Sequence, residues 1–133
     1  MPTVSGLDHI VIVARDVEAT VAWYREHLGF EVERMEQWRA GQVPFPSLRV
    51  TPTTIIDVVA GDPGGPTGTA GPGHLAHVCF VVGAADLDAV RADPRLVVED
   101  EGTRFGARGN ATSVYVRDPD GLVVELRSYP SGG

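Results

Sequence analysis

A histidine followed 48 residues later by a carboxylate occurs twice in this chain, and the second pair begins 68 residues after the first. His9 precedes Asp57 at this spacing, and His77 precedes Glu125. All four residues lie inside short runs rich in Val, Ile and Leu, which predict strands. The repeat therefore predicts two copies of one module, each with a polar residue in its first and in its last strand.

The composition is that of an ordinary globular protein of one domain. The chain has 133 residues, of which 43% are hydrophobic and 22% charged. A net charge of −7 makes nucleic acid and anionic membranes poor partners. Because there is no signal-peptide pattern or membrane-length apolar run, and Cys79 has no second cysteine to pair with, we expect a cytoplasmic protein.

Module one, residues 5–60, is predicted to contain four strands and one helix. Asp16 is a good N-cap for the helix and Gly29 a good residue to end it. The predicted strands are 7–14, 30–38, 43–50 and 53–59. The third of these is weak, since Pro44 and Pro46 interrupt it, and we expect it at a sheet edge or as a loop.

Module two, residues 74–129, is predicted to repeat this order after a connector. Residues 61–73 are too rich in Gly and Pro for helix or strand, which favours a connector over a plain surface loop. A helix is expected over Ala84–Ala92, ending before Pro94. The predicted strands are 75–82, 96–99, 112–117 and 122–128, with a loop at 103–110 and a tight turn at 118–121. The fold class is α+β, with two tandem β-α-β-β-β modules.

Strand alternation places each histidine on the same face as its carboxylate. A His or Asp buried in such a strand needs a partner, and two His with two carboxylates could satisfy one another by binding one divalent metal. Taken singly, each His is more simply a residue hydrogen-bonded to the backbone, and Asp57 a solvent-facing residue at a strand end. The repeated spacing makes four separate coincidences improbable and favours a metal site.

The chain resembles the vicinal oxygen chelate superfamily, which includes glyoxalase I, fosfomycin-resistance proteins, methylmalonyl-CoA epimerase, extradiol dioxygenases and bleomycin-resistance proteins. The residues that carry the resemblance are 7–10, 23–30, 73–78 and 118–126. The resemblance implies a single domain, 1–133, whose modules form an eight-stranded cup around a metal, with helices on the outer face. It also implies a divalent ion, Zn, Ni, Mn or Fe. The implied metal ligands are His9, Asp57, His77 and Glu125.

Asp57 departs from the family pattern. Its position holds Glu in glyoxalase I and Gln in the epimerase, and provides no protein ligand in several dioxygenases. Three roles stay open for Asp57: metal ligand, base beside the metal, or hydrogen-bond acceptor for a bound water. Without it the ligands are two His and one carboxylate, the set typical of non-haem Fe(II) oxygen chemistry.

Other residues are candidates to line the pocket. An anionic group of a substrate could bind an arginine, and Tyr115 could supply a hydroxyl. Surface arginines and packed aromatic residues are common, so each is a weaker candidate than the metal ligands. The candidates are Arg49, Arg104, Arg108, Tyr115, Trp38, Phe45 and Phe105, above a lining of Val11, Val13, Ile55, Cys79, Val123 and Arg127. Cys79 itself is expected to be a small inert core residue rather than a nucleophile.

The resemblance implies a metal-dependent isomerase or lyase of glyoxalase type, in which Glu125 or Asp57 moves the proton. A non-haem Fe(II) extradiol-type dioxygenase is the alternative enzyme. A binding protein that sequesters an antibiotic without chemistry is the alternative of another class, although such members lack the metal ligands that are present here. Open sheet edges and an exposed concave face predict a homodimer.

Overall fold

The computed structural model describes residues 3, 6–63, 75 and 77–130. The chain divides into two compact units, Met1–Pro63 and Gly64–Gly133. Most of the predicted connector, residues 64–73, lies outside the described residues, as do His74 and Ala76 at the start of module two. No helix in the described part of the chain is long and apolar enough to cross a membrane.

Unit one contains one mixed four-stranded sheet. Its elements are β1 (His9–Ala14), α1 (Val17–Leu28), β2 (Glu31–Glu33), α2 (Met35–Arg39), β3 (Ser47–Thr51) and β4 (Thr54–Ala60). The strand order is β1-β4-β3-β2, with β1 parallel to β4 and the other neighbours antiparallel.

Unit two repeats this sheet. Its elements are β5 (His77–Val81), α3 (Ala84–Ala92), β6 (Asp100–Gly106), β7 (Gly109–Arg117) and β8 (Val123–Ser128). The order β5-β8-β7-β6, with a parallel β5–β8 pair, matches unit one strand for strand. The predicted α+β class and tandem β-α-β-β-β modules are confirmed, with α2 as an addition to the first.

Helix α1 packs against the first sheet and α3 against the second, whereas α2 has no buried residue. The Asp16 carboxylate accepts a hydrogen bond from the Ala19 N–H at 3.0 Å and caps α1, which ends at Gly29 in the left-handed conformation. In β1 the even-numbered Ile12 and Ala14 are buried, whereas the odd-numbered side chains, among them His9, lie on the exposed face. The histidines therefore stand on the open face of each sheet and not in the core.

The predicted strand over residues 30–38 is wrong beyond Glu33. Arg34 has a left-handed backbone, with φ at 64°, which ends the strand and starts α2. Met35–Arg39 contains Met, Glu, Gln and Arg, all good helix formers, so local propensity favours the short helix.

The expected edge strand at 43–50 is also corrected. β3 begins at Ser47, directly after Pro46, and lies between β2 and β4 in the interior of the sheet. Both prolines precede the strand, so they remove no donor from its hydrogen-bond ladder.

In module two, the predicted loop at 103–110 is a β-hairpin. β6 and β7 pair from Asp100 to Gly106 and turn at residues 107–108, with Gly109 at a φ of 97°. The predicted strand at 96–99 is not one, because regular pairing starts only at Asp100. The glycines in this segment allow the tight turn and do not mark an irregular loop.

Candidate metal centre

The first histidine–carboxylate pair lies on β1 and β4. Val11 is the strand partner of Asp57, so His9 lies two residues away along β1 on the same face. His9 Nε2 is 4.0 Å from Asp57 Oδ2. The Asp57 residue is buried, at 6% exposure, whereas the His9 side chain is half exposed.

The second oxygen of Asp57 is held from behind. Ser47 faces Asp57 across the β3–β4 ladder, and its hydroxyl donates to Asp57 Oδ1 at 2.6 Å. The Arg34 guanidinium donates to the Ser47 hydroxyl and lies 3.5 Å from the same Oδ1. Oδ1 is therefore engaged, and Oδ2 is the oxygen turned toward His9.

His9 is oriented from its other nitrogen. Its Nδ1 lies 2.7 Å from Asp8 Oδ2. This hydrogen bond from the ring, strengthened by the charges of Asp57 and Asp8, raises the pKa of His9 above its usual value. A carboxylate on one ring nitrogen fixes the imidazole so that the other nitrogen points at a ligand position, as is common for metal-binding histidines.

The second pair lies on β5 and β8. Cys79 is the strand partner of Glu125, so His77 again lies two residues away on the same face. His77 Nε2 is 3.2 Å from Glu125 Oε1, close enough for a direct ion pair if the ring is protonated. Glu125 is 4% exposed, and the His77 side chain is half exposed. The longer Glu side chain accounts for a closer approach than that of Asp57.

The other oxygen of Glu125 is also held from behind. Its Oε2 accepts hydrogen bonds from the Ser113 hydroxyl at 2.6 Å and from Arg127 Nη1 at 3.0 Å. Burial alone would raise the pKa of Glu125, but the Ser113 hydrogen bond and the charges of Arg127 and His77 outweigh it, so the pKa is lowered. Arg127 is itself buried and donates to the carbonyl oxygens of Arg104 and Gly109.

The two units reach the same arrangement with residues that do not correspond in the repeat. Ser47 is the direct strand partner of its carboxylate, whereas Ser113 pairs with Arg127 and reaches Glu125 diagonally. Arg34 comes from the turn before α2, and Arg127 from the carboxylate's own strand. Sequence reasoning missed Ser47, Ser113 and Arg34, although a hydroxyl in register with Asp57 was a usable signal.

Each pair suits a divalent metal in its chemistry. An imidazole nitrogen and one carboxylate oxygen face each other, and these are the ligand types that Zn, Mn and Fe take in proteins. Within either unit, the described residues contain no group of three or more His, Cys, Asp and Glu side chains that could hold a metal. A site with all four predicted ligands would have to draw on both units, and it stays a prediction.

The structure brings Tyr115 to the second pair. Tyr115 is the strand partner of Glu125, and its ring meets the His77 ring edge-on, with centroids 6.3 Å apart. Burial and the neighbouring Glu125 raise the pKa of Tyr115, so its phenol stays protonated near neutral pH. Arg104 lies over the Tyr115 ring at 5.7 Å and also pairs with Asp100. Tyr115 and Arg104 are therefore close to a predicted ligand.

The other substrate-binding candidates are placed differently. Arg49 makes a two-pronged ion pair with Glu33 on the neighbouring strand, and Arg108 stacks on the Tyr129 ring at the hairpin turn. Phe105 is 83% exposed near the same turn. Trp38 belongs to α2, not to a strand. None of these four is shown in contact with a predicted ligand among the residues described.

Cys79 is poorly suited to nucleophilic chemistry. Cys79 lies on the exposed face of β5, but partial burial of its sulfur and the negative charge of Glu125 raise the pKa of the thiol to about 11. A thiol with this pKa is almost entirely protonated at neutral pH, and only the thiolate is a strong nucleophile. The expectation that Cys79 is a core residue is wrong, because it lies on the exposed face of β5, and its inertness stays a prediction.

A comparison with protein-family models identifies the superfamily of the chain. The model of the Glyoxalase/Bleomycin resistance protein/Dioxygenase superfamily matches residues 6–126. The chain belongs to this superfamily. A glyoxalase domain-containing protein of Mycosarcoma maydis is 32% identical over 139 residues, which cover 96% of this chain and 70% of that protein.

Solved structures show the same fold. A protein from the mobile metagenome of V. Pseudocholerae superposes with a TM-score of 0.74 at 24% identity, over 98% of this chain and 99% of that one. A mutant of the fosfomycin resistance protein FosX from Listeria monocytogenes superposes with a TM-score of 0.65 at 19% identity, over 94% and 90% of the two chains. At these identities the likeness establishes the fold alone.

Proposed function

We propose that this protein is a metal-dependent enzyme of glyoxalase type that acts on a small molecule with two neighbouring oxygens. The observation that carries the proposal is the duplicated arrangement around each carboxylate. In both units one carboxylate oxygen is engaged by a serine and an arginine, while the other faces a histidine Nε2. The proposed ligands of the divalent metal are His9, Asp57, His77 and Glu125.

The neighbours of each proposed ligand indicate its role. A divalent metal, when bound, supplies a Lewis acid that favours an enolate or oxyanion on the substrate. His9 is oriented by Asp8, and Glu125 by Ser113 and Arg127, so these side chains need little rearrangement to act. Glu125 is the proposed proton carrier, because its side chain is long enough to reach both a ligand position and a bound substrate.

Substrate contacts are proposed mainly in unit two. The protonated Tyr115 hydroxyl can donate a hydrogen bond to a substrate oxygen beside Glu125, and Arg104 adds a positive charge above the same ring. Arg49, Arg108, Trp38 and Phe105 remain candidates for the outer pocket wall. Their role would require a substrate large enough to extend beyond the histidine–carboxylate pairs.

A structural relative supports this class of substrate. The structure of FosX from Listeria monocytogenes contains Mn(II) and 1S,2S-dihydroxypropylphosphonic acid, whose name specifies two hydroxyls on adjacent carbons. A metal with a vicinal diol in a protein of the same fold supports chelation by neighbouring oxygens. Which of Zn, Ni, Mn and Fe this protein takes is left to experiment.

A non-haem Fe(II) dioxygenase of extradiol type is the second candidate. Asp57 stands 4.0 Å from His9, whereas Glu125 stands 3.2 Å from His77. If the shorter Asp57 side chain stays off the metal, the ligands are His9, His77 and Glu125, the set of two His and one carboxylate used by Fe(II) oxygenases. A non-catalytic antibiotic-binding protein is disfavoured, because it would not need these oriented pairs.

Metal analysis followed by a substrate screen tests the proposal. Protein purified aerobically and anaerobically is expected to contain close to one divalent metal per chain. Loss of either histidine, in His9→Gln or His77→Gln, should lower that content. His27→Gln on α1 is the matched control, because His27 lies beside Trp23 and belongs to neither pair. Absence of metal from protein supplied with Zn, Ni, Mn and Fe would refute a metal-dependent enzyme.

The screen then separates the reaction classes. The compounds are 2-oxoaldehyde adducts, epimerisable thioesters and catechols. Turnover of an adduct or a thioester without oxygen consumption supports the isomerase or lyase. Oxygen-dependent cleavage of a catechol, with iron retained only under anaerobic purification, would replace it with the dioxygenase.

A further inference from the structure

Arg34 has an unusual backbone for its side chain. It is the one non-glycine residue in the described part of the chain with a positive φ, at 64°. The left-handed conformation crowds the Cβ against the backbone, whereas glycine adopts it freely. Residues held in this region despite a side chain are over-represented at functional sites, so the outlier calls for a reason.

The contacts of the Arg34 guanidinium explain why an arginine occupies this position. The guanidinium of Arg34 passes over the Phe45 ring, with its central carbon 5.4 Å from the ring centroid. It then donates to the Ser47 hydroxyl and lies 3.5 Å from Asp57 Oδ1. The start of α2 could have been built with glycine, but only a long cationic side chain at this point reaches the buried carboxylate.

We propose that Arg34 is a positioning residue for Asp57. Together with Ser47 it engages Oδ1 and thereby leaves Oδ2 as the oxygen that faces His9 Nε2. The consequence for the metal site rests on the proposed function, whereas the contact between Arg34 and Asp57 does not. The strained backbone is then retained because it places the guanidinium at the carboxylate.

The neighbouring arginines do not duplicate this contact. Arg49, two residues along β3 from Ser47, is engaged by Glu33, and Arg39 on α2 pairs with Glu18 and Glu36. Among the ion pairs of the described residues, Arg34 is the only arginine partner of Asp57. Its removal should therefore leave the Asp57 carboxylate with Ser47 alone on that side.

A double-mutant cycle on metal-free protein tests the contact. Arg34→Gly removes both the strain and the guanidinium, and glycine is acceptable at a helix N-cap, so the variant should fold. In an Asp57→Asn background the ion pair is already gone, so Arg34→Gly relieves the strain and loses only the contacts with Ser47 and Phe45. The urea midpoint should then rise, or fall less than in the wild-type background. In the wild-type background the same change should raise the midpoint less or lower it. Equal shifts in both backgrounds would overturn the proposal.

Absorption of bound Co²⁺ tests the effect on the site, because its visible bands respond to ligand geometry. We expect Arg34→Gly to shift the bands in the manner of Asp57→Asn, and the control Arg39→Gln to leave them unchanged. If the bands shift in Asp57→Asn but not in Arg34→Gly, Arg34 does not position Asp57. If neither variant shifts the bands, Asp57 does not affect the metal, and the proposed consequence for the site is overturned. If wild-type protein takes up no Co²⁺, the proposed function fails, while the cycle still decides whether Arg34 holds Asp57.

Discussion

Glu125 carries more of the proposed chemistry than any other side chain, and its surroundings make it sensitive to change. It is buried against Arg127, which is buried as well. Glu125→Gln removes the negative partner of that arginine, and such a change in a buried ion pair typically costs about 3–5 kcal/mol. We predict greatly reduced turnover, lower metal content and a lower unfolding midpoint, measured by elemental analysis and urea denaturation. Unchanged metal content and rate would remove Glu125 from the site.

Asp57 is predicted to be the less critical carboxylate. It is shorter and stands farther from its histidine than Glu125 does. We expect Asp57→Asn to keep the metal and to lower the rate about 10²-fold, the scale of a lost proton-transfer aid. The measurement is metal content and turnover beside the Glu125→Gln protein. An empty site in Asp57→Asn with an intact one in Glu125→Gln would reverse the two roles.

The raised pKa of Cys79 predicts slow thiol chemistry. The pKa of Cys79 is about 11, whereas that of an ordinary thiol is 9.0. Cys79 should therefore carry about 100-fold less thiolate at pH 8 than an ordinary thiol. Alkylation by iodoacetamide should be slower than that of glutathione by a comparable factor. Urea-unfolded protein is the control, since unfolding removes the burial and should restore a normal rate.

At the scale of elements, the sequence predicts the ends of a helix correctly where the residue type at the end is a typical cap. Asp16 and Gly29 delimit α1, and α3 spans Ala84–Ala92 as predicted, with Leu87 and Val90 buried. The turn after β2 gave no such signal, because an arginine in the left-handed region is not expected from sequence. The hairpin at 100–117 was missed for a different reason: its glycines permit a turn as readily as they permit a loop.

Gly106 in β6 is predicted to be required for the arrangement around Glu125. A Cβ at this position would lie 2.5 Å from the central carbon of the Arg127 guanidinium, which is fixed by its bonds to Glu125, Arg104 and Gly109. Gly106→Ala should therefore displace Arg127 and cost about 1–3 kcal/mol of unfolding free energy.

Urea denaturation checks this prediction against Gly6→Ala. A Cβ at Gly6 would meet nothing within 4 Å, so the control should unfold like the wild-type protein. Metal content should fall in Gly106→Ala and stay constant in the control. Equal midpoints for the two variants would mean that the Arg127 side chain moves aside without cost.

For the whole molecule, the sequence predicts the duplication because each histidine precedes its carboxylate by the same 48 residues. The same face and the same strand positions for each histidine and carboxylate follow from strand alternation. The serines and arginines behind the carboxylates could not be predicted in this way. They come from positions that do not correspond in the two units. The sequence repeat therefore does not reveal that the same contacts are made twice.

The exposed faces of the sheets lead to the prediction of a homodimer. Val11 is 50% exposed on the His9 face of the first sheet, and Val81 is 52% exposed on the His77 face of the second. β1 and β5 are also edge strands within their own sheets, with backbone groups available for pairing. A second copy of the chain that paired with these edges would also cover apolar side chains of the edge strands, and twofold symmetry is the commonest arrangement.

Light scattering at micromolar concentration is expected to give twice the 14.1 kDa of the chain. Val11→Asp should weaken association, because burying a carboxylate without a partner is unfavourable. Val97→Asp is the matched control, since Val97 is exposed outside both sheets. A monomeric wild-type protein would contradict the prediction, and equal masses for the two variants would show that the β1 face is not the interface.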